Sequence, residues 1–501
     1  MKSNFLKHNK IGDDMKNTSI WRDKTKVEKN KNVFKDNMET DILIIGGGIS
    51  GLSTGLELLE NDKKFIIVEK KVCGMGITSL STGKLTFAQG LVYDKIIKNY
   101  NYLTALKYYE SQKEAMDKVY NNIKKYNIDC DYENTSSYIF TDKENDINKI
   151  KKEQNFYDKA KIKYRKIYSL PNNYPLKYGL EFEDTAMFNP LKYVCALKKI
   201  INRSDNKIFE NTTVHEIKKM GKVYEVKTDR GSIYAKKIVV ATHYPFFIIP
   251  GLIPFRTYIE KSYLLASIMK SPKISAITSN KPTITMRNYK DDYFVFGSNS
   301  HSTSNHYNFK KQFDELVYKY NSMFEGEIEY IWSAHDVMTN DSIPYIGKVS
   351  NEEIYIATGF NKWGMTNGVL SGIIISDLIL NKFNPYSSIF SFKRRFSINR
   401  IINLIKNDFK TMVTLVTTKI IKNHKFYDHV EVININGESI GVYHHNGKEY
   451  KVKNTCPHMK CSLIFNEVEK TWDCPCHGSR FDIRGNVITG PSTYSIKIDK
   501  K

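Results

Sequence analysis

From residue 41 the chain reads DILIIGGGISGLSTGLELLENDKKFIIVEK, and its apolar pattern changes period twice. Ile42 to Ile45 form a continuous apolar run, the signature of a strand buried on both faces. Leu52, Leu56 and Leu59 then recur at helical spacing before a second apolar run closes the segment, so strand, Gly-rich turn, helix and strand are expected in that order. Between 101 and 126, Leu103, Leu106, Tyr109, Met116, Tyr120 and Ile123 follow a period near 3.6, which predicts one long amphipathic helix burying that stripe. Residues 212–242 alternate around Gly221 and Gly231, as in a hairpin or meander ending in a buried strand from Ile238 to Ala241. Further strands are expected at YFVFGSNS and IYIATGF, with a helix from Gly368 to Leu380.

The flanks read differently. Residues 1–39 are polar and Lys-rich, with one apolar marker, SIW, ending at Trp21, and are expected to be an extended arm over the main domain. Residues 40–380 mix a βαβ unit with later antiparallel strands, 381–425 read as a helical linker, and 426–501 read as a small all-β domain of short strands. The expected class is α/β (α+β): a Rossmann-type dinucleotide domain, an interleaved mixed-sheet substrate domain and a small all-β domain.

Composition narrows the function classes. At 501 residues the chain is long enough for two or three cores, with 41% hydrophobic and 26% charged residues. No apolar run is long enough for a membrane span, and the first residues lack an apolar signal core, so a cytoplasmic protein is expected. The net charge is +22, yet the lysines are scattered and no nucleic-acid motif is present, so no nucleic-acid partner is expected. Four of the seven cysteines lie between 456 and 476, a distribution that suits a cofactor rather than a secreted disulfide framework.

Gly46, Gly48 and Gly51 form G-x-G-x-x-G between the first strand and its helix. Such glycines allow the tight turn, the approach of backbone to a pyrophosphate and close helix packing. Glu69, 18 residues after Gly51, ends the next strand, where a carboxylate accepts hydrogen bonds from ribose hydroxyls. NAD and FAD both use this device, and the turn alone does not separate them. GITSLSTGKLT from Gly76 and IYIATGFNKWGMTNG from Ile354 resemble the flavin-binding stretches of FAD-dependent oxidoreductases of the D-amino-acid oxidase and glycine oxidase type. The resemblance implies FAD held by Gly46, Gly48, Gly51, Glu69, Ser79, Gly83, Lys84, Val214, Gly359, Gly364, Met365 and Thr366. Amino-acid oxidising relatives place an Arg after the Trp-containing strand to pair a substrate carboxylate; this chain has IWSAHDVMTNDSIPYIG, with His335 and Asp336 there. Arg287 is a candidate anion partner, and His243 and His335 are candidates for chemistry, but no general base is assigned.

Near the end, Cys456-x-His458 and Cys474-x-x-His477 present two thiols and two imidazoles on two loops. Tetrahedral zinc accepts that donor set, so the residue types alone leave the metal open. CPHMKC and CPCHGSRF resemble the Rieske [2Fe-2S] domain, which implies Cys456, His458, Cys474 and His477 as cluster ligands and a disulfide between Cys461 and Cys476. Together the two resemblances describe a group of flavoproteins with a C-terminal Rieske domain. They imply a dehydrogenase that takes a hydride from a small-molecule substrate, at a C–N or C–OH bond, and passes single electrons through the cluster to an external acceptor. An acidic redox protein is the acceptor class that the basic charge suits. The alternative is an electron-transfer adaptor between protein partners that has no organic substrate.

Ser479 occupies the place of a hydroxyl that donates to cluster sulfur in high-potential Rieske proteins, while Phe481 stands where they carry a Tyr, and Lys460 stands where related loops have Gly. Losing one such donor lowers the potential, because these bonds favour the more negative reduced state. The expected potential therefore lies near the middle of the range of about −150 to +300 mV for such centres. Potentiometric titration of the cluster checks this, and a value at the top of the range contradicts it.

Overall fold

The computed structural model describes residues 12–498 apart from 13, 31, 247–255, 305–307, 395–423 and 428. An eight-stranded sheet is centred on the strand Met38–Ile45, which pairs in parallel with Phe65–Val68 on one side and Gly231–Val240 on the other. Ile42 to Ile45 are buried on both faces, which explains their continuous apolar run. The helix Ile49–Leu59 follows the glycine turn directly. The 212–242 segment forms the expected meander of Val214–Met220, Val223–Thr228 and Gly231–Val240, whose last strand enters the parallel sheet. A ten-stranded mixed sheet supplies the second layer, with the long strands Thr257–Ile268, Tyr293–Ser302 and Glu327–Thr339 side by side.

The long helix spans Tyr102–Tyr126, capped by Asn101 and ended by Asn127 in the left-handed region. Its buried face matches the expected stripe in part: Met116 is buried, and Leu106, Tyr109 and Ile123 are half-buried against the core. Leu103 is 58% and Tyr120 42% exposed, while Ala105, Tyr108, Gln112, Ala115, Val119 and Asn122 face inward. The reason is a buried amide seam. Gln89 Nε2 donates to Gln112 Oε1 at 2.8 Å and to Thr366 Oγ1 at 2.9 Å, and Gln112 Nε2 donates to Asn367 Oδ1 at 3.0 Å. A count of apolar positions does not register such a face. The seam holds the helix Gly364–Ile379, which starts four residues before the expected Gly368 and packs on Ile49–Leu59 through Gly368 and Gly372. A Cβ on Gly372 would lie 2.7 Å from Ser53 C, so the two helices approach closely enough for the Ser50 and Ser371 hydroxyls to bond at 2.6 Å.

The N-terminal arm is more ordered than expected. Lys16–Asn17 pairs in parallel with Glu327–Thr339, and Ser19 caps a short helix Ile20–Lys24 that buries Ile20 and Trp21 completely. Trp21 lies edge-on to Tyr289, with ring centroids 4.7 Å apart, and donates from Nε1 to Ser81 O at 2.7 Å. The C-terminal part contains two antiparallel four-stranded sheets, one running from His424–Tyr427 to Lys448–Lys453 and one from Ile464–Asn466 to Val487–Thr489. Trp472 fills the space between them against Gly441, where any Cβ would fall 2.5 Å from its ring. A short helix Ser387–Phe390 lies in the connecting stretch, and residues 395–423 of the expected linker fall outside the described residues.

Trp21 ties the arm to the main body, so Trp21→Ala should destabilise the protein by about 3 kcal/mol through lost burial and the cavity left behind. Denaturant unfolding of the two proteins measures this, and an unchanged midpoint would show that the arm carries no stability.

Candidate functional site

One cavity of about 290 Å³ runs from the glycine turn to the mixed sheet. At its first end Gly46 has φ +111°, and a Cβ there would sit 2.5 Å from Ala241 O. A Cβ on Gly51 would lie 1.9 Å from Gly46 O, so this helix approaches its strand as only glycine allows. Glu69 accepts from Gly47 N at 2.8 Å and Lys71 N at 3.0 Å, which fixes its carboxylate on the cavity wall. The N-termini of Ile49–Leu59 and Gly364–Ile379 both reach the cavity, through Gly48 and Gly364, and bring two positive helix ends to one space. The far half is walled by Lys84, Ser262, Leu264, Gly297 and Asp336.

Two short loops between C-terminal strands hold all the donors of the second centre. The His458 and His477 rings lie 5.0 Å apart, and Cys456 and Cys474 are buried free thiols beside one another. His477 Nδ1 is buried with no hydrogen-bond partner among the described residues, an orphan that a metal would satisfy. Burial pushes His458 down to about 4 and His477 to about 3, so both imidazoles are neutral, as ligation requires. Cys461 and Cys476 form a disulfide that ties the two loops together. The Cys474 sulfur also lies within 4.8 Å of both disulfide sulfurs, but bonded sulfurs offer no thiolate, so the donor set is two thiols and two imidazoles. The Ser479 hydroxyl lies beside the Cys456 sulfur and accepts from Ser492 N at 3.0 Å. Lys460 takes φ +59°, the left-handed conformation that glycine adopts without strain.

Comparison with known proteins gives the same two halves. Residues 41–378 match the family described as FAD dependent oxidoreductase, and 416–498 match the Rieske [2Fe-2S] domain. The chain belongs to the FAD dependent oxidoreductase family. A Rieske 2Fe-2S iron-sulfur protein of Bacillus subtilis, YhfW, is 32% identical over 484 residues, covering 93% of this chain and 94% of that one. The gamma-glutamylputrescine oxidoreductase of Escherichia coli is 20% identical over 69% of this chain and 85% of its own. The crystal structure of glycine oxidase from Bacillus cereus superposes with a TM-score of 0.58 at 20% identity, covering 70% of this chain and 99% of that one. This FAD dependent oxidoreductase thus carries FAD and a Rieske [2Fe-2S] cluster as its cofactors. No described helix is long and apolar enough to cross a membrane.

The residues expected at the flavin site fall into two sets. Gly46, Gly48, Glu69, Lys84, Val214, Gly364 and Met365 line the cavity of the oxidoreductase. Gly51, Ser79, Gly83, Gly359 and Thr366 stand behind that wall and shape it. Gly83 has φ +68° and Gly359 +74°, and Ser79 accepts from Arg22 Nε at 2.8 Å. Arg287 is corrected from an anion partner to a structural cation. It is 1% exposed, donates to the carbonyls of Thr82, Gly83, Phe188 and Asn288, and stacks 5.1 Å from the Trp21 ring. It fixes the turn before Lys84 and does not reach the cavity. His243 lines the cavity with φ +67°; burial lowers it to about 4, its ring faces the backbone of His335, and Nε2 is buried without a partner among the described residues. His335 lies on the opposite face of its strand, where its Nδ1 is 3.3 Å from the Cβ position of Gly478, so it belongs to the junction with the Rieske domain.

That junction was not read from the sequence. Lys261 Nζ meets Asp473 Oδ2 at 2.8 Å and Glu469 Oε2 at 3.3 Å, and Arg480 meets the same two carboxylates at 3.1 and 2.7 Å. Ser333 Oγ also donates to Glu469, at 2.5 Å. Tyr244 completes the contact: it lines the cavity, and its ring centroid lies 5.9 Å from His477 and 6.4 Å from His458. Residues 488–493 of the Rieske domain line the cavity too.

Lys261 and Arg480 hold Glu469 down at about 2 and Asp473 below its usual range. Carboxylates depressed in this way stabilise the junction fully above their unfolded values near about 4 and lose that contribution as pH falls toward about 2. Lys261→Met leaves the two buried carboxylates facing one cation and should cost about 3 kcal/mol or more. Thermal unfolding across pH 7 to 3 measures both effects. The wild type should weaken below about pH 4, and a variant as stable as the wild type at pH 7 contradicts the assignment.

Proposed function

We propose that the protein is a dehydrogenase that takes a hydride from a small organic substrate, at a C–N or C–OH bond, and passes the electrons through the Rieske cluster to an external acceptor. The observation that carries this reading is Tyr244, one side chain that lines the flavin cavity and contacts both cluster histidines. His477 is 8% exposed and faces this tyrosine rather than solvent, so the imidazole edge is turned toward the cavity. The bound groups supply two-electron acceptance at the flavin and one-electron transfer at the cluster. The chain's residues do the rest. Gly46, Glu69 and the two helix N-termini hold the dinucleotide, the mixed sheet closes the substrate side, and the Lys261 network holds the metal centre against Tyr244. Relatives named for glycine and for gamma-glutamylputrescine favour a C–N bond. An adaptor without a substrate would have no use for the polar far half of the cavity.

Stepwise anaerobic reduction of the flavin, followed by EPR, tests the reading. A Rieske-type signal is expected to grow as the flavin bleaches. Full flavin reduction without that signal, in protein whose cluster a chemical reductant does reveal, would mean that the centres work separately.

A further inference from the structure

Three charged side chains stand on the far half of the cavity: Lys84, Lys362 and Asp336. The two cations already have partners. Lys84 Nζ donates to Ala276 O and Thr285 Oγ1, each at 2.6 Å, and burial holds it well below its ordinary value. Lys362 Nζ is paired with Glu260 at 2.7 Å. Asp336 is different. It lies opposite Glu260 in the strand register, lines the cavity, and makes no hydrogen bond or ion pair among the described residues. Its charged neighbours are Lys362 and Glu260, which already satisfy one another. Burial raises its carboxyl to about 6, so near neutral pH it is ionised and lacks a counter-ion.

Asp336 is half-buried on the cavity wall, and a carboxylate there without a partner gains from a ligand that supplies the missing cation and shuts out the remaining water. The cavity offers little to an anion by comparison. No arginine stands among its described lining residues, and Arg287 is committed to backbone carbonyls behind the wall. We propose that Asp336 is the recognition site for a protonated amine on the substrate, so that the cavity takes small amines lacking a carboxylate. The ammonium N–H groups donate to the Asp336 carboxylate, while Leu264 and Gly297 leave the apolar part of the ligand a wall without competing charge. This assignment rests on the proposed dehydrogenase reading and names its substrate class.

Two charge-inverted pairs of similar shape test it: benzylamine against benzoate, and n-butylamine against butyrate. Each is titrated anaerobically into the full-length holoenzyme, and binding is read from the visible spectrum of the oxidised flavin. The amines are expected to give saturable spectral shifts and the carboxylates none. Asp336→Asn should weaken amine binding by about tenfold or more, the loss of one charge-assisted contact, while Asp336→Glu stays close to the wild type. Equal flavin content and an unchanged Rieske EPR signal show that the variants are folded. Tighter binding of the carboxylates, no binding of either amine, or unchanged amine affinity in Asp336→Asn overturns the proposal. Because binding is read on the oxidised flavin, failure of electron transfer to the cluster leaves this result standing, and the two readings fail separately.

Discussion

Lys261 belongs to a strand of the flavin-side sheet, yet the carboxylates that balance it, Glu469 and Asp473, come from the C-terminal domain. With Arg480 they form a nearly water-free group of two cations and two anions, in which each carboxylate touches both cations. Such a group is an inefficient source of stability, since desolvation offsets most of the attraction. It is an effective source of position, because a displaced domain would leave buried charge unpaired. The relation between the two centres depends on it. Moving the Rieske domain even slightly would separate His477 from Tyr244 and open the cavity wall that residues 488–493 complete.

The metal loops show the same use of burial. Neutral histidines and hidden thiols suit a cluster that must change charge without taking up water, and the disulfide holds the two loops together when the ligands are not enough. The arm plays the corresponding part at the flavin end. Ser19, Trp21 and Arg22 bond to Ser79, Ser81 and Met75, so a segment outside the sheet fixes the turn that leads to Lys84.

What the sequence makes legible follows the range of each interaction. The glycine turn, its strands and the cysteine–histidine loops are local, and their spacing states their geometry directly. The long helix is in place, but its buried face reaches beyond the expected stripe, because the amide of Gln112 joins Gln89 and Asn367 in a buried seam that a count of apolar positions does not register. Arg287 looked available to an anion because nothing near it in the chain reveals the carbonyls of Thr82 and Phe188. The Lys261 network joins residues more than two hundred positions apart, and each member alone resembles an ordinary surface charge. Tyr244 carries no motif at all; its importance comes from where the meander ends.

The loop at 488–493 serves both centres: it walls the flavin cavity, and its Ser492 amide holds the hydroxyl of Ser479 beside the Cys456 sulfur. It lies more than four hundred residues along the chain from the glycine turn at Gly46. The cavity that begins at that turn therefore has no complete wall until these distant residues have folded against it. Closing the cavity and ordering the cysteine–histidine loops are therefore not independent, since one loop takes part in both.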